Sequence, residues 1–435
     1  YIGRSSGPGG IQFVYGDGPR DCVTFQSFFP EEGDMFMFPS WLKHWVAPYR
    51  SDCTRISVSG NFHDSAPLNN IVNIAPKLLK NKSHNYKHNS KRNKKSTFRK
   101  KNALKVPKHK SQKNKKIKTD PITSEIIRNS LNSAAEQMKK ALVRSAFSPI
   151  IYEVLDFASA IYDKNYCMLS QSPSLPGFMG TLSFCVEQAV KEVGGEENIF
   201  DGDIIIYNNP YGSGSHSQDA ALVKPVFIEN KLIGYTAIKA HWLDTGGKEP
   251  YSTDTVDVFQ EGTIYPGLKL YKKGKLEEDI FKLIKANSRV PKAIEGDLNA
   301  QLNGIIAGAN ALKRIVNKFG YELFYASVLE IYEHGEKLVR KSLQKIPDGT
   351  YSGFGQMDSN GVDEGVVKFK ISIEVKGSDL ILDFTDAPDQ QNGPINCPLP
   401  STVSKARVAF SMMAGNGEQP NEGFFRPLIV KTKKG

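Results

Sequence analysis

The sequence is poor in cysteine and has no long apolar run. Its five cysteines are scattered over 435 residues and none forms a Cys-x-x-Cys pair. We therefore expect neither a disulfide framework nor a zinc knuckle, and a reducing, cytoplasmic location. No stretch of about eighteen apolar residues occurs, so no membrane-spanning helix is predicted. The glycines form neither a G-x-G-x-x-G nor a Walker pattern, so the chain carries no nucleotide-binding fingerprint.

Acidic residues are absent from one segment. Between Lys77 and Lys118 the chain has 18 Lys or Arg and no Asp or Glu, whereas acidic residues outnumber basic ones elsewhere. Such a segment buries too little apolar surface to offset its ordering entropy, so 76–119 is predicted to be a disordered basic linker. An RNA-binding arm is disfavoured, because Tyr86 and Phe98 are isolated and no stacking motif accompanies them. Read-through between two neighbouring genes is a further alternative, since A-rich spacer DNA encodes Lys, Asn and Ser.

Length and patterning predict two or three domains of mixed type. Residues 1–75 have an all-β pattern, and a new domain opens at Asp120, which can cap a helix that begins at Pro121. Long helices are predicted at 294–318 and 321–345. Shorter elements are predicted as a hairpin at 157–162 and 167–170, a helix at 180–193, and strands near 203–207, 222–228, 232–239, 366–375 and 379–384. Because helices and strands mix without regular βαβ alternation, the fold class is α+β, with antiparallel sheets and two long helices.

Two His-x-x-Asp pairs stand in or beside glycine-rich turns that follow strand-like runs. They are His216 with Asp219, and His241 with Asp244. Strands deliver side chains to loop tips rigidly, and imidazole with carboxylate ligands suits a divalent ion such as Zn, Mn or Fe(II). We predict a metal site formed by His216, Asp219 and His241; the alternative is a set of structural histidines. Four roles remain possible for Asp244. It is a fourth ligand, a partner that orients His241, a general base, or a cap of the Thr245-Gly-Gly turn.

The first 75 residues contain an apolar strand that stops at Pro39 and an alternating strand from Arg55 to Phe62. In these features the segment resembles the end of a double-stranded β-helix, as in 2-oxoglutarate/Fe(II) oxygenases. The resemblance implies that His44 is a metal ligand and that Arg55 pairs with the co-substrate carboxylate. A histidine at a sheet edge is the alternative for His44. The other two iron ligands would precede Tyr1, so we expect an incomplete, inactive Fe(II)/2-oxoglutarate binder.

Several motifs follow one another from Asp120 to the end of the sequence. They are Asp120-Pro-Ile-Thr, Arg144-Ser-Ala-Phe-Ser-Pro, Gly202-Asp through Asp219, Ala240-His-Trp-Leu-Asp-Thr-Gly-Gly, Gln260-Glu-Gly, Gly296-Asp-Leu-Asn-Ala-Gln, and Asp383-Phe-Thr with Gly393-Pro-Ile-Asn. In them the chain resembles the hydantoinase B/5-oxoprolinase family, which includes the large metal-binding subunit of acetone carboxylase. The resemblance implies that 120–435 is an incomplete domain of this family. It also implies that His216, Asp219 and His241 bind the family's divalent metal. Phe178 departs from many members, which have a histidine there.

The resemblance implies an ATP-dependent enzyme with two kinds of subunit. Members act with a hydantoinase A-type partner that binds ATP, and they open a small cyclic amide such as a hydantoin or 5-oxoproline. The alternative within the family is carboxylation of a ketone, as in acetone carboxylase. Phosphorylation of the amide oxygen on the partner would create a leaving group, and the metal (Mn, Zn or Fe) would polarise the intermediate or generate hydroxide. Asp244 or Glu261 is the candidate base. An inactive fusion fragment is the rival from another class.

Overall fold

The structure is a computed structural model that describes residues 11–15, 24–28, 43–46 and 119–433, without 179 and 416–418. The chain divides into two compact units, Tyr1–Phe98 and Arg99–Gly435. The predicted basic linker up to residue 118 and the predicted strand from Arg55 to Phe62 lie outside the described residues. The role predicted for Arg55 therefore stays a prediction.

The described part of the first unit is a three-stranded antiparallel sheet. Its strands are β1 (Ile11–Tyr15), β2 (Thr24–Phe28) and β3 (Lys43–Val46), in the order β2-β1-β3. His44 lies on β3, where its backbone pairs with that of Phe13 on β1. The segment that carries His44 is thus a strand, and metal binding by His44 stays a prediction.

The described part of the second unit contains eight α-helices. They are α1 (Pro121–Ser145), α2 (Pro149–Tyr152), α3 (Thr181–Glu192), α4 (Pro210–Ser213), α5 (Glu278–Ala286), α6 (Pro291–Phe319), α7 (Tyr321–Leu343) and α8 (Leu399–Ala414). Asp120 caps α1 by accepting a hydrogen bond from the Thr123 backbone N–H at 2.9 Å. The two long helices, α6 and α7, are confirmed; they are separated by Gly320, whose φ of +78° suits a residue without Cβ. Among the described residues, none of the helices combines the length and apolar character needed to span a bilayer.

Two sheets complete the second unit. The large one contains β4 (Phe157–Asp163), β5 (Met168–Gln171), β6 (Ile204–Tyr207), β7 (Asp219–Ile228), β8 (Lys231–His241), β9 (Pro266–Lys272) and β10 (Lys275–Leu276), and the small one β11 (Gly349–Ser359), β12 (Glu364–Lys376), β13 (Asp379–Asp383) and β14 (Leu428–Lys431). The large sheet is antiparallel throughout, in the order β10-β9-β6-β7-β8-β4-β5. The small sheet has the order β11-β12-β13-β14, and only its β13–β14 pair is parallel. The predicted α+β class with antiparallel sheets is confirmed.

The large sheet has a helical layer on each face. Because successive side chains of a strand point to opposite faces, odd- and even-numbered residues of a strand contact different layers. On β8, Ile238 belongs to the core shared with α1 and α6, whereas Ala237 belongs to the core shared with α3 and α8. Lys239 and His241 have the parity of Ala237, so they lie on the α3 side of the sheet.

The hairpin formed by β7 and β8 sets the register of the candidate site. Its two-residue turn is Glu229–Asn230, and both residues have positive φ, +49° and +63°, as in a type I′ turn. Ile228 pairs with Lys231 beside the turn, and the ladder continues, through an irregularity at Val226/Phe227, to Asp219 paired with His241 at the far end.

Candidate metal centre

Asp219 and His241 are brought together by strand pairing. Asp219 is the first residue of β7, His241 is the last of β8, and the two are direct cross-strand partners. Such partners have neighbouring side chains on one face of the sheet. The His241 Nδ1 atom lies 3.0 Å from Asp219 Oδ1, and both side chains are buried.

His216 reaches the same point from the glycine- and serine-rich loop before β7. Its Nδ1 atom lies 3.6 Å from Asp219 Oδ1, and its ring meets the His241 ring edge-on, with centroids 4.9 Å apart. One potential ligand atom from each of His216, Asp219 and His241 lies within 4.8 Å of the others. The His216 side chain is 41% exposed while Asp219 is fully buried, so the cluster opens to solvent on the His216 side. The structure thus brings the three predicted ligands together, and metal binding by them stays a prediction.

The protonation pattern of the cluster suits a cation. Burial opposes ionisation of Asp219, but His216, the hydrogen bond from His241 and the Lys239 ammonium together lower its pKa to about 2. Burial lowers the pKa of His216 and outweighs the attraction of Asp219, so His216 favours the neutral form that binds metals. Burial also opposes protonation of His241, but its hydrogen bond to Asp219 raises its pKa overall.

Asp156 lies beside the cluster, and no sequence pattern points to it. It immediately precedes β4, and its carbonyl accepts a hydrogen bond from the His241 backbone N–H at 3.0 Å. Because Phe157 pairs with Ala240, Asp156 falls beside His241 at the end of the ladder. Burial and the neighbouring Asp219 charge raise the pKa of Asp156 to about 6. Two carboxyl groups that disfavour each other's charge are a common arrangement where a cation is held between them.

Unpartnered buried atoms in the cluster fit a bound divalent ion. Asp156 Oδ1, Asp219 Oδ2 and His216 Nδ1 are buried and have no hydrogen-bond partner. Buried polar atoms are nearly always satisfied in folded proteins, so these unpartnered atoms of neighbouring residues are available to a ligand. Imidazole nitrogen and carboxylate oxygen are donors suited to Zn, Mn or Fe(II).

Asp244 is held by Arg289 rather than left free. Its Oδ1 atom accepts hydrogen bonds from the Gly246 backbone N–H at 3.0 Å and from Arg289 Nη1 at 2.8 Å, and Oδ2 accepts from the Arg289 backbone N–H. Of the alternatives for Asp244, capping of the Thr245-Gly-Gly turn is therefore observed. A role for Asp244 as a base stays a prediction.

Glu261 lies on a loop that is tied to the loop of His216. Gln218 Nε2 donates to the Glu261 carbonyl at 2.9 Å, and Asn208 Nδ2 donates to the carbonyls of Ser217 and Thr263 at 2.6 and 2.9 Å. Burial raises the pKa of the half-buried Glu261 carboxyl. These bonds hold a carboxyl with enhanced proton affinity on the loop beside the candidate ligands.

Tyr251 stands at the open side of the cluster. Its ring centroid lies 6.4 Å from those of both His216 and His241, although the residue is 70% exposed. It lies in a polar segment without a motif, so its place at the site is visible only in the structure.

Known proteins that resemble this chain over most of its length belong to one family. Residues 120–435 match the family described as Hydantoinase B/oxoprolinase, and residues 12–61 match that described as putative 2OG-Fe(II) oxygenase. The B component of a putative D-/L-hydantoinase of Pseudomonas sp. (strain NS671) is 32% identical over 343 residues, which cover 73% of this chain and 56% of the relative. The beta chain of the caprolactamase of Pseudomonas jessenii is 30% identical over 315 residues, which cover 72% of this chain and 53% of the relative.

Solved structures show the same fold. The crystal structure of the ATP-dependent caprolactamase of Pseudomonas jessenii superposes with a TM-score of 0.67 at 29% identity, covering 73% of this chain and 54% of that one. A nucleotide-free acetone carboxylase shares the fold with a TM-score of 0.66 at 19% identity, covering 71% of this chain and 43% of that one. The chain spans about half the length of the curated relatives it matches.

Proposed function

Because the chain belongs to the hydantoinase B/oxoprolinase family, we propose that it is the metal-binding subunit of an ATP-dependent cyclic-amide hydrolase. The observation that carries the proposal is the convergence of ligand atoms from His216, Asp219 and His241 within 4.8 Å of one another. Relatives named as a hydantoinase component and a caprolactamase component support action on a small cyclic amide together with a partner. The three free cysteines of the described residues are compatible with the reducing cytoplasm that we propose as its location.

The proposed ligands are His216, Asp219 and His241, with Asp156 as the fourth. When bound, a divalent Mn, Zn or Fe(II) ion supplies Lewis-acid polarisation or hydroxide from water. The buried Asp219 and His241 provide the rigid side of the site, because paired strands hold them. His216, being partly exposed, leaves the approach for the substrate on its own side.

ATP enters the proposed reaction on the partner subunit, since this chain has no nucleotide-binding fingerprint. Amide resonance makes the ring carbonyl a poor electrophile. Transfer of the γ-phosphoryl group to the amide oxygen releases ADP and replaces a poor leaving group by phosphate. Water then adds to the activated carbon while a base takes its proton. The tetrahedral adduct expels the ring nitrogen, which takes up a proton as the C–N bond breaks, and a second water hydrolyses the resulting acyl phosphate to carboxylate and phosphate.

We assign the base of this reaction to Glu261, with Asp244 as the alternative. A base works best when its pKa lies near the working pH, and burial moves the pKa of Glu261 in that direction. Asp244 instead accepts hydrogen bonds from Arg289 and Gly246, which compete with any proton for its oxygens.

The partner requirement is the first test. We expect the purified chain to hydrolyse no ATP in the presence of hydantoin, 5-oxoproline or ε-caprolactam. Addition of a co-purifying ATP-binding subunit should produce ring opening with release of ADP and phosphate. Liquid chromatography measures the opened ring, and a coupled assay measures ADP. ATP hydrolysis by the isolated chain, or ring opening by a metal-stripped complex, contradicts the proposal.

The base assignment makes a separate prediction. In the complex with the partner, Glu261→Gln should lower kcat by about 100-fold or more, as expected for a positioned general base, and leave metal content unchanged. The matched control is Glu278→Gln, the same chemical change at an exposed carboxylate in the first turn of α5; its kcat should stay within about twofold. Full activity of metal-loaded Glu261→Gln would move the role to Asp244.

A further inference from the structure

A buried lysine lies directly beneath the candidate metal centre. Lys239 precedes His241 by two residues on β8 and lies on the same face of the sheet, opposite Ala221. It is fully buried. Its Nζ atom donates to the Ser213 carbonyl at 2.9 Å, lies 3.5 Å from Thr181 Oγ1, and stands 4.8 Å from the centroid of the Phe178 ring.

None of these neighbours of Lys239 carries a negative charge. Within the described part of the chain, no carboxylate forms an ion pair with its ammonium group. A buried cation held only by neutral partners is costly, typically by several kcal/mol, unless charges further away compensate it. The Phe178 ring presents its face to the ammonium group, which is a weakly attractive contact for a cation.

The compensating charges are those of the metal centre. Lys239 pairs with Ala221 on β7 and with Ala158 on β4, which lie two residues from Asp219 and Asp156, so the three side chains share one face of the sheet. Its positive charge therefore belongs to the charge balance of the cluster. Two carboxylates and one ammonium leave the cluster with a net charge of about −1, and a divalent ion turns this into about +1. The same cluster without Lys239 would be neutral once loaded.

We propose that Lys239 makes the loaded centre a site for an oxyanion, bound on the open side next to His216, in preference to a neutral amide. The proposal rests on the proposed function, because it requires the divalent ion. A neutral lactam becomes anionic only when its oxygen is phosphorylated, so the fixed charge of Lys239 selects the activated form over the resting one. A carboxylate carried by the substrate is the other source of the same chemistry.

The test measures ligand binding by the full chain reconstituted with Co(II), using visible absorption, with inorganic phosphate, acetate and 2-pyrrolidone as probes. We expect the wild-type chain to bind phosphate or acetate more tightly than 2-pyrrolidone. If phosphate binds more tightly than acetate, the natural oxyanion is the phosphoryl group of the activated substrate. If acetate binds more tightly than phosphate, it is a carboxylate of the substrate.

Lys239→Met removes the charge at similar volume. We expect it to weaken oxyanion binding by roughly tenfold or more, the effect of one unit charge in a partly buried setting, and to leave 2-pyrrolidone binding unchanged. Affinity for the ion itself, measured by chelator competition, should rise in the same variant because a repulsion is removed. Lys224→Met is the matched control: it removes a lysine from β7, one that neighbours Asp201 and Lys313 rather than the metal centre, and should change each affinity by less than about twofold.

The outcomes separate this inference from the function on which it rests. A wild-type chain that takes up no divalent ion overturns both. A loaded Lys239→Met chain with wild-type oxyanion affinity overturns only the role of Lys239. If Lys239→Met does not fold, Lys239→Gln, which removes the charge but keeps a polar side chain, replaces it, and wild-type oxyanion affinity in the loaded Lys239→Gln chain overturns the role of Lys239.

Discussion

Replacing His216 with alanine is expected to abolish stoichiometric metal binding. The substitution removes one of the proposed ligands, and sites that lose a ligand lose more affinity than the 10- to 100-fold typical of changes in the groups that orient ligands. His216 is partly exposed and lies in a loop, so the fold should be unaffected, with a change in the free energy of unfolding within about 0.5 kcal/mol for the metal-free chain. Elemental analysis of purified protein should fall from about one equivalent to nearly none.

The matched control is His334→Ala, the same chemical change at an exposed histidine on α7. It should retain the full metal content of the wild-type chain. If His216→Ala also retains its metal at full stoichiometry after dialysis, the ligand assignment is wrong. If both variants lose metal, the loss reflects general instability rather than a missing ligand.

Breaking the buried ion pair between Arg407 and Glu422 is expected to lower the free energy of unfolding more than breaking an exposed ion pair. Arg407 on α8 and Glu422 are almost fully buried, with Arg407 Nη2 2.8 Å from Glu422 Oε1. Glu422 Oε2 also accepts from the Met168 backbone N–H at 3.2 Å, so the pair joins α8 to the large sheet. Arg407→Met leaves the Glu422 charge buried and unpaired, which typically costs about 3–5 kcal/mol. Urea denaturation should show this as a lower midpoint.

Two further variants serve as controls for the Arg407→Met measurement. Arg407→Met combined with Glu422→Met should be less destabilised than Arg407→Met alone, because no charge is left stranded. Asp254→Asn breaks the exposed Lys248–Asp254 pair, 2.6 Å apart, and should leave the urea midpoint almost unchanged because solvent screens the pair. An Arg407→Met chain as stable as Asp254→Asn would show that the buried pair contributes little.

Much of the fold follows from local signals. Asp120 and Pro121 mark the start of α1, and Gly320 separates two helices whose apolar periodicity is strong. The hairpin of β4 and β5 and the strands β6 to β8 lie where alternation and glycine-rich turns predict them. By contrast, β11 was not predicted, because its residues are nearly all exposed and show little apolar alternation. The helices α5 and α8 were missed as well.

The site was only partly accessible from sequence. His216, Asp219 and His241 carry a visible pattern, since each lies where a strand meets a glycine-rich turn. Asp156 carries none, because it joins the cluster only through pairing of β4 with β8, which lie far apart in the chain. Lys239 sits in an otherwise apolar strand, and its nearness to the ligands depends on the face to which β8 turns it. Such relations are tertiary, and no local pattern encodes them.

The two-residue turn at Glu229–Asn230 fixes the register of two proposed metal ligands roughly 30 Å away, at the opposite end of the two strands it joins. Insertion of one residue into this turn could shift the pairing of β7 and β8 by one position. The His241 side chain would then point away from Asp219 and toward α6, because successive side chains of a strand point to opposite faces of the sheet. The length of this turn therefore determines whether Asp219 and His241 face each other, although the turn lies at the far end of the hairpin.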